Sequence, residues 1–237
     1  MTKMPFDARA YLPVLAELTG AFAAALRTAD PAAAVPDCDG WTVTDLATHL
    51  GNVHRWAATI VRTGEVHPQD SAVGAGGDLV SWYAESARLL LAELETADPG
   101  DPCWHFAGTG KTKAFWFRRQ VHETAVHLAD LGSGHVLDPA VAADGVDEVF
   151  TAMLPRVTRW HAVPQLPGPV TLRATDTGDV WTVHPGEPPA LGPAVSGGAT
   201  VEAPARDLLL RLWKRTGPDP RATGDAAKAL LAAPLTP

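Results

Sequence analysis

The stretch FWFRRQVHETAVHLADL, residues 115–131, reads as one helix that begins somewhere after Gly110 and runs to about Gly132. It invites comparison with the HExxH metal motif, and the comparison fails on spacing. His122 and His127 are five residues apart, about 140° around a helix, so they do not share a face. Glu123 and His127 are four apart, about 40° around, so they do. The pair that can act together is therefore one glutamate and one histidine.

Working upstream, the chain is helical throughout. From about Ala8 to Thr28, Tyr11, Leu12, Leu15, Leu18, Phe22 and Leu26 recur at spacings of three and four, the stripe of a buried helix face. Asp30-Pro31 stops it, and a loop with Pro36, Asp37 and Gly40 follows. Thr42 with Asp45 three residues on predicts a capping box, with Asp in place of the usual Glu. That helix carries Leu46, His49, Leu50, Val53, Trp56 and Ile60 and ends near Gly64. The Gly-rich link GAGGD leads to a third helix from about Leu79 to Ala97, which Asp98, Pro99, Gly100 and Pro102 break.

Downstream, a fifth helical stretch is expected over about Asp144 to Trp160. Four long helices with a fifth leading out fit a bundle. The three prolines and glycine of VPQLPGP, 163–169, mark a domain boundary. Beyond it, Val170–Ala174 and Val180–His184 alternate around a turn at Asp176–Asp179, a β-hairpin. A short strand near Thr200 to Glu202, a helix burying Leu208, Leu209, Leu212 and Trp213, and a last helix from Ala222 to Ala232 complete the chain. The fold class is α+β, with a helical bundle of four main helices over 1–162 and a small α/β domain over 168–237.

Composition narrows the function. At 237 residues, 46% hydrophobic and 19% charged, the chain has the profile of an ordinary globular protein. Its formal net charge of -8, with no basic cluster, argues against nucleic acid. Two cysteines, Cys38 and Cys103, are too few for a disulfide scaffold, so a reducing cytoplasm is expected and both read as structural or incidental free thiols. The N-terminus, with Asp7, Arg9 and Glu17, does not read as a signal peptide. No window approaches the roughly 20 apolar residues of a membrane span.

Two ligands rarely make a catalytic metal site, and the third should come from another helix. His49 is the candidate, because its neighbours Leu46, Leu50 and Val53 place it on an apolar seam where a polar ring needs a partner. Two histidines and one glutamate are a catalytic-zinc donor set that leaves a position open, and nickel or iron would also accept it. A Glu/His pair by itself is more often a surface or half-buried pair, and a lone His on such a seam more often a satisfied core histidine. From the residues alone, metal and no metal stand level. His54, His122 and His135 are expected at the surface.

The segments PDCDGWTVTDLATHLGNVHRWAA, 36–58, and WFRRQVHETAVHLADLGSG, 116–134, resemble in order and spacing the two signature segments of the mycothiol-dependent maleylpyruvate isomerase family, within the DinB-like metalloenzyme superfamily. ATVEAPARDLLLRLWKRTG, 199–217, resembles that family's small C-terminal domain. The resemblance covers nearly the whole chain. It implies zinc ligands at His49, Glu123 and His127, the same three that the spacing selects. It also implies an active-site arginine at Arg215, in Leu212-Trp213-Lys214-Arg215, a position that reads equally as a solvated helix end. Arg119 matches the family's spacing before the glutamate and reads two ways, as the group that orients Glu123 or as a structural ion pair. Leu128 stands where the family often has arginine after the second histidine, a departure that bears on substrate choice more than on metal.

The implied cofactors are a divalent metal and mycothiol; the implied partners are a small electrophilic substrate and a low-molecular-weight thiol. The chemistry is coherent on general grounds. A thiol with a pKa of about 8.5 is mostly protonated at neutral pH, and coordination to a metal strips that proton. The thiolate adds to an activated double bond, rotation follows, and elimination completes a cis-trans isomerisation; if the thiol stays attached, the result is S-transfer. An acid substrate such as maleylpyruvate needs cationic anchors, for which Arg215, Lys214 and Arg119 are available. Two other readings stay open: a metal-binding protein of the same fold with no catalytic thiol step, and a ligand-binding module without metal.

Overall fold

The computed structural model describes residues 7–69, 77–108, 110–162 and 164–237. Residues 1–6, 74–76 of the Gly-rich link and Val163 of the proline-rich stretch lie outside them. The chain forms two compact units.

In the first unit, a 3-10 turn (Ala8–Ala10) leads into α1 (Tyr11–Leu26), followed by α2 (Val43–Thr63), α3 (Leu79–Thr96) and α4 (Ala114–Asp130). Each of α1 and α2 packs against both α3 and α4, which makes the expected four-helix bundle. The α1 stripe is buried at Tyr11, Leu15, Leu18, Phe22 and Leu26, while Leu12 is only half-buried. The start of α2 is fixed as its sequence demands. The Thr42 hydroxyl oxygen accepts from Asp45 N–H at 3.2 Å, and the Asp45 carboxylate accepts from Thr42 N–H at 2.9 Å. The Thr42 hydroxyl, at 2.6 Å, and the Thr42 N–H both donate to the Asp45 carboxylate and hold its carboxyl below its ordinary pKa. The helix ends where Gly64 takes φ 76°, a left-handed cap that glycine adopts at no steric cost.

Gly51 is the close approach between α2 and α3. A Cβ there would lie 2.2 Å from Cζ3 and 2.6 Å from Cη2 of Trp82, whose ring also carries the Arg55 guanidinium 5.4 Å from its centre. Gly51→Ala is expected to lower stability by about 1–2 kcal/mol, because forcing the indole out outweighs the better helix propensity of alanine. The check is urea unfolding: the midpoint should fall at unchanged slope, and an unaltered midpoint would mean the ring yields freely.

The second unit contains Leu137–Pro237 together with Phe106–Gly108. Phe106 belongs there because the Arg156 guanidinium sits 4.3 Å from its ring centre. The two compact units divide in sequence between Val136 and Leu137. The fifth helical stretch begins earlier than expected, at Pro139, with Asp138 capping it through Ala140 N–H at 2.7 Å. It runs as α5 (Pro139–Glu148), a π-helical turn (Val149–Met153) and α6 (Leu154–Val157). Its α5 portion packs on α7 (Ala205–Leu212), which places the stretch with the sheet domain.

The sheet has the order β3-β2-β1-β4-β5. The expected hairpin is present as β1 (Val170–Ala174) and β2 (Val180–His184), with Val170 opposite Val183. β4 (Ala199–Ala203) runs parallel to β1. Two short edge strands complete it: β3 (Ala190–Leu191) against β2, and β5 (Arg221–Thr223) against β4. The last helix, α8 (Asp225–Ala232), starts three residues later than its sequence suggests. Gly224 has φ 84° and ψ 155°, outside any helix, and an added Cβ would meet the Ala199 Cβ at 3.1 Å. Residues 221–223 are thereby left to pair with β4.

Candidate metal centre

Helix α4 is buried on nearly every side, including Arg118, Arg119, Gln120, His122, Thr124, His127 and Asp130. A helix this polar and this buried must satisfy its side chains internally. Its surroundings sort the histidines. His122 is fully buried, its ring edge-on to Tyr11 of α1 at 6.4 Å. His54, on α2, is fully buried too. It faces Gln120 Oε1 across 2.8 Å from Nδ1, and the Tyr83 hydroxyl across 3.3 Å from Nε2. The surface expectation for both rings is therefore corrected: each lies on a helix face turned to a neighbouring helix. His135 is half-buried, its Nε2 3.7 Å from Glu17 Oε1.

His49, Glu123 and His127 come together. Nε2 of His49 and Nε2 of His127 each lie 3.5 Å from the same oxygen, Glu123 Oε1. The two imidazoles meet edge to face with centroids 5.1 Å apart. One donor atom from each residue falls within 4.8 Å of the others. The site grades outward: His127 is 7% exposed at its side chain, Glu123 14% and His49 32%. The point the three share is thus held from inside and reachable from outside.

Arg119 forms an ion pair with Glu123 Oε2, the oxygen that does not face the histidines. Burial raises the Glu123 pKa, but Arg119 and the hydrogen bonds from His127 and His49 outweigh it and hold the carboxyl well below its usual range. Burial likewise lowers the His127 pKa, and the carboxylates of Asp130 and Glu123 reverse that to a net rise.

Asp130 escaped the reading of residue spacing, although it stands three residues after His127 on the same helix. Its Oδ2 accepts from His127 Nδ1 at 2.9 Å, and its side chain is fully buried. With Asp130 accepting at Nδ1, a neutral His127 would keep its proton there and offer the Nε2 lone pair to an ion placed between it, Glu123 and His49. Trp41 also escaped notice: its ring lies 4.9 Å from that of His49. Cys38, half-buried, points its Sγ at Asp130 Oδ2 across 3.5 Å. Cys103 is buried, with Sγ 3.5 Å from the Ile60 carbonyl, and burial pushes its thiol pKa up, as an inert core thiol requires.

Arg215 lies in the second unit, beyond α7. Arg215 N–H reaches back to the Leu210 carbonyl at 2.9 Å, and its Nη1 donates to the Trp213 carbonyl at 3.0 Å. Lys214 takes φ 62° in that turn. Among the described residues, no helix is long and apolar enough to cross a membrane.

Two domain models match the chain: "Mycothiol maleylpyruvate isomerase N-terminal domain" over residues 13–132 and "MDMPI C-terminal domain" over 140–233. The gap between them spans the division of the two compact units. Among solved structures, the chain is similar to the crystal structure of the mycothiol-dependent maleylpyruvate isomerase, with TM-score 0.69 and 13% identity over 94% of this chain and 96% of that one. A histidine-to-alanine mutant described under the same enzyme name matches with TM-score 0.68 at the same identity and coverage. A search of curated proteins finds no match.

Proposed function

We propose, on the premise that this chain belongs to the mycothiol maleylpyruvate isomerase family, that it is a mycothiol-dependent metalloenzyme whose metal is held by His49, Glu123 and His127. The observation that supports it is the convergence of two imidazole nitrogens on one carboxylate oxygen, each at 3.5 Å. The donor set fits a divalent ion: two neutral nitrogens, one carboxylate oxygen and an open side.

A bound divalent ion, zinc first and nickel or iron also accepted by these donors, would supply the Lewis acidity that keeps a thiol deprotonated. The remaining work falls to the protein. Arg119 holds Glu123 Oε2 and so turns Oε1 toward the shared point. Asp130 keeps the His127 proton on Nδ1. Arg215 is the proposed contact for mycothiol, and Arg119 and Arg215 are the proposed catalytic arginines.

Mycothiol, when bound, would supply a thiolate nucleophile for the double bond of a cis-configured electrophilic acid of the maleylpyruvate kind, the chemistry of a cis-trans isomerisation in which no atom is gained or lost. A related substrate whose adduct persists would leave as a thioether, making the protein an S-transferase. The cytoplasm, where low-molecular-weight thiols stay reduced, is the proposed compartment.

Elemental analysis is expected to find about one zinc per chain, and maleylpyruvate is expected to isomerise only when mycothiol and metal are both present. A chain that takes up no metal on zinc titration, or that works equally well without the thiol, would overturn the assignment. Product analysis separates isomer from thioether.

A further inference from the structure

One loop carries supports for both imidazoles. Residues 35–41, just before α2, close into a tight turn: Cys38 N–H donates to the Val35 carbonyl at 3.1 Å, Trp41 N–H to the Cys38 carbonyl at 3.0 Å, and Val35 N–H to the Trp41 carbonyl at 2.9 Å. Trp41 leaves this turn to pack on His49. Cys38 leaves it to meet Asp130 Oδ2, the same oxygen that accepts the His127 Nδ1 proton.

We propose that Cys38 is a positioning residue for His127, acting through Asp130. This rests on the reading of His127 as a metal ligand. The thiol and the imidazole both donate to a single buried carboxylate oxygen, so the Cys38 proton helps fix where that oxygen lies. The oxygen fixes the tautomer and the tilt of the ring. Because Cys38 is pinned by the backbone bonds of its turn, the orientation of His127 is tied to the loop that also braces His49. A shell of this kind sets how well a site holds its ion, since a misdirected lone pair costs affinity even when every ligand is present.

Cys38, His127 and Asp130 also form a donor cluster of their own, with atoms within 4.8 Å of one another. Direction keeps Cys38 from ligating an ion shared with His49 and Glu123. Its sulfur reaches the imidazole from the Nδ1 side by way of Asp130, whereas Glu123 and His49 face Nε2.

The test is zinc titration of the full-length parent and of Cys38→Ser, Cys38→Ala and Asp130→Asn, with cobalt-substituted spectra of each. Serine keeps a donor to Asp130 and alanine does not. Cys38→Ala is expected to bind zinc about 10-fold more weakly, Cys38→Ser to stay within about threefold of the parent, and Asp130→Asn to lose about 10–100-fold. The cobalt ligand-field bands should shift in Cys38→Ala and return in Cys38→Ser. The parent spectrum should show no thiolate-to-cobalt charge transfer. Alanine binding as tightly as the parent, or serine binding as weakly as alanine, would overturn the positioning role. A charge-transfer band lost in Cys38→Ala would overturn it in favour of direct ligation. A parent that binds no zinc at all sinks the triad first, and this proposal with it.

Discussion

His127→Ala is expected to leave the chain without stoichiometric zinc and to lower mycothiol-dependent kcat/KM by about 10³-fold or more, since a metal acting on charge in the transition state supplies several kcal/mol. His127 should be the most sensitive of the three donors. It is 7% exposed against 32% for His49, and both its ring nitrogens are engaged, Nδ1 by Asp130 and Nε2 toward Glu123. Its loss removes the inner wall of the site and leaves Asp130 with nothing to orient. His49→Ala acts in the same direction, but water can occupy part of the gap at that more open edge. Metal analysis on the dialysed protein and steady-state kinetics at saturating mycothiol are the measurements. If His127→Ala retains a full equivalent of zinc and parental kcat/KM, the triad is not the catalytic metal site.

The second large effect concerns stability. Lowering the pH from 7 to about 4 is expected to cost the metal-free bundle about 3 kcal/mol through His54 alone. Burial without a charged partner pushes the His54 pKa from 6.5 down to about 4, against the smaller opposing effect of its bond to Gln120. The sign follows from counting protons. Between those two values the unfolded chain binds a proton that the folded chain does not, so folding is fully stable above about 6.5 and loses stability as pH falls through the window. His127 works the other way: its raised pKa makes the folded form the better proton binder at acid pH. The readout is therefore the difference between the parent and His54→Leu in urea unfolding at several pH values. The variant should start less stable at pH 7, because Gln120 and Tyr83 each lose a partner. Its stability should then fall less steeply between 6.5 and 4. Parallel slopes would mean His54 is not held neutral in the core.

Much of the fold is legible wherever the controlling interaction is local. The Thr42–Asp45 box starts α2, Gly64 ends it, and the hairpin of β1 and β2 follows from alternation around a turn. Less is legible where a backbone element depends on distant pairing. β3 has two residues and β5 three, too short to carry a periodic signal, and they exist because longer strands offer them an edge. The division of the compact units at Val136–Leu137 carries no proline cluster of the kind found after 163. The earlier signal, Asp138 followed by Pro139, is a helix start, and only the packing of α5 on α7 shows to which unit that helix belongs.

The amino-acid sequence by itself determined that Glu123 and His127 share a face, because four residues bring a helix nearly full circle. It also determined that His49 sits on a seam of apolar neighbours. The tertiary structure alone decided that α2 lies beside α4 at the height where His49 meets them. It alone decided that Asp130 and Cys38 stand behind His127, and that His54 and His122 are core rings rather than surface ones. The reason is one of range: helical periodicity is set by neighbours within a turn or two, whereas which side chains meet across helices depends on how whole faces pack. That packing joins residues 38, 49, 123, 127 and 130 across more than 90 positions of chain.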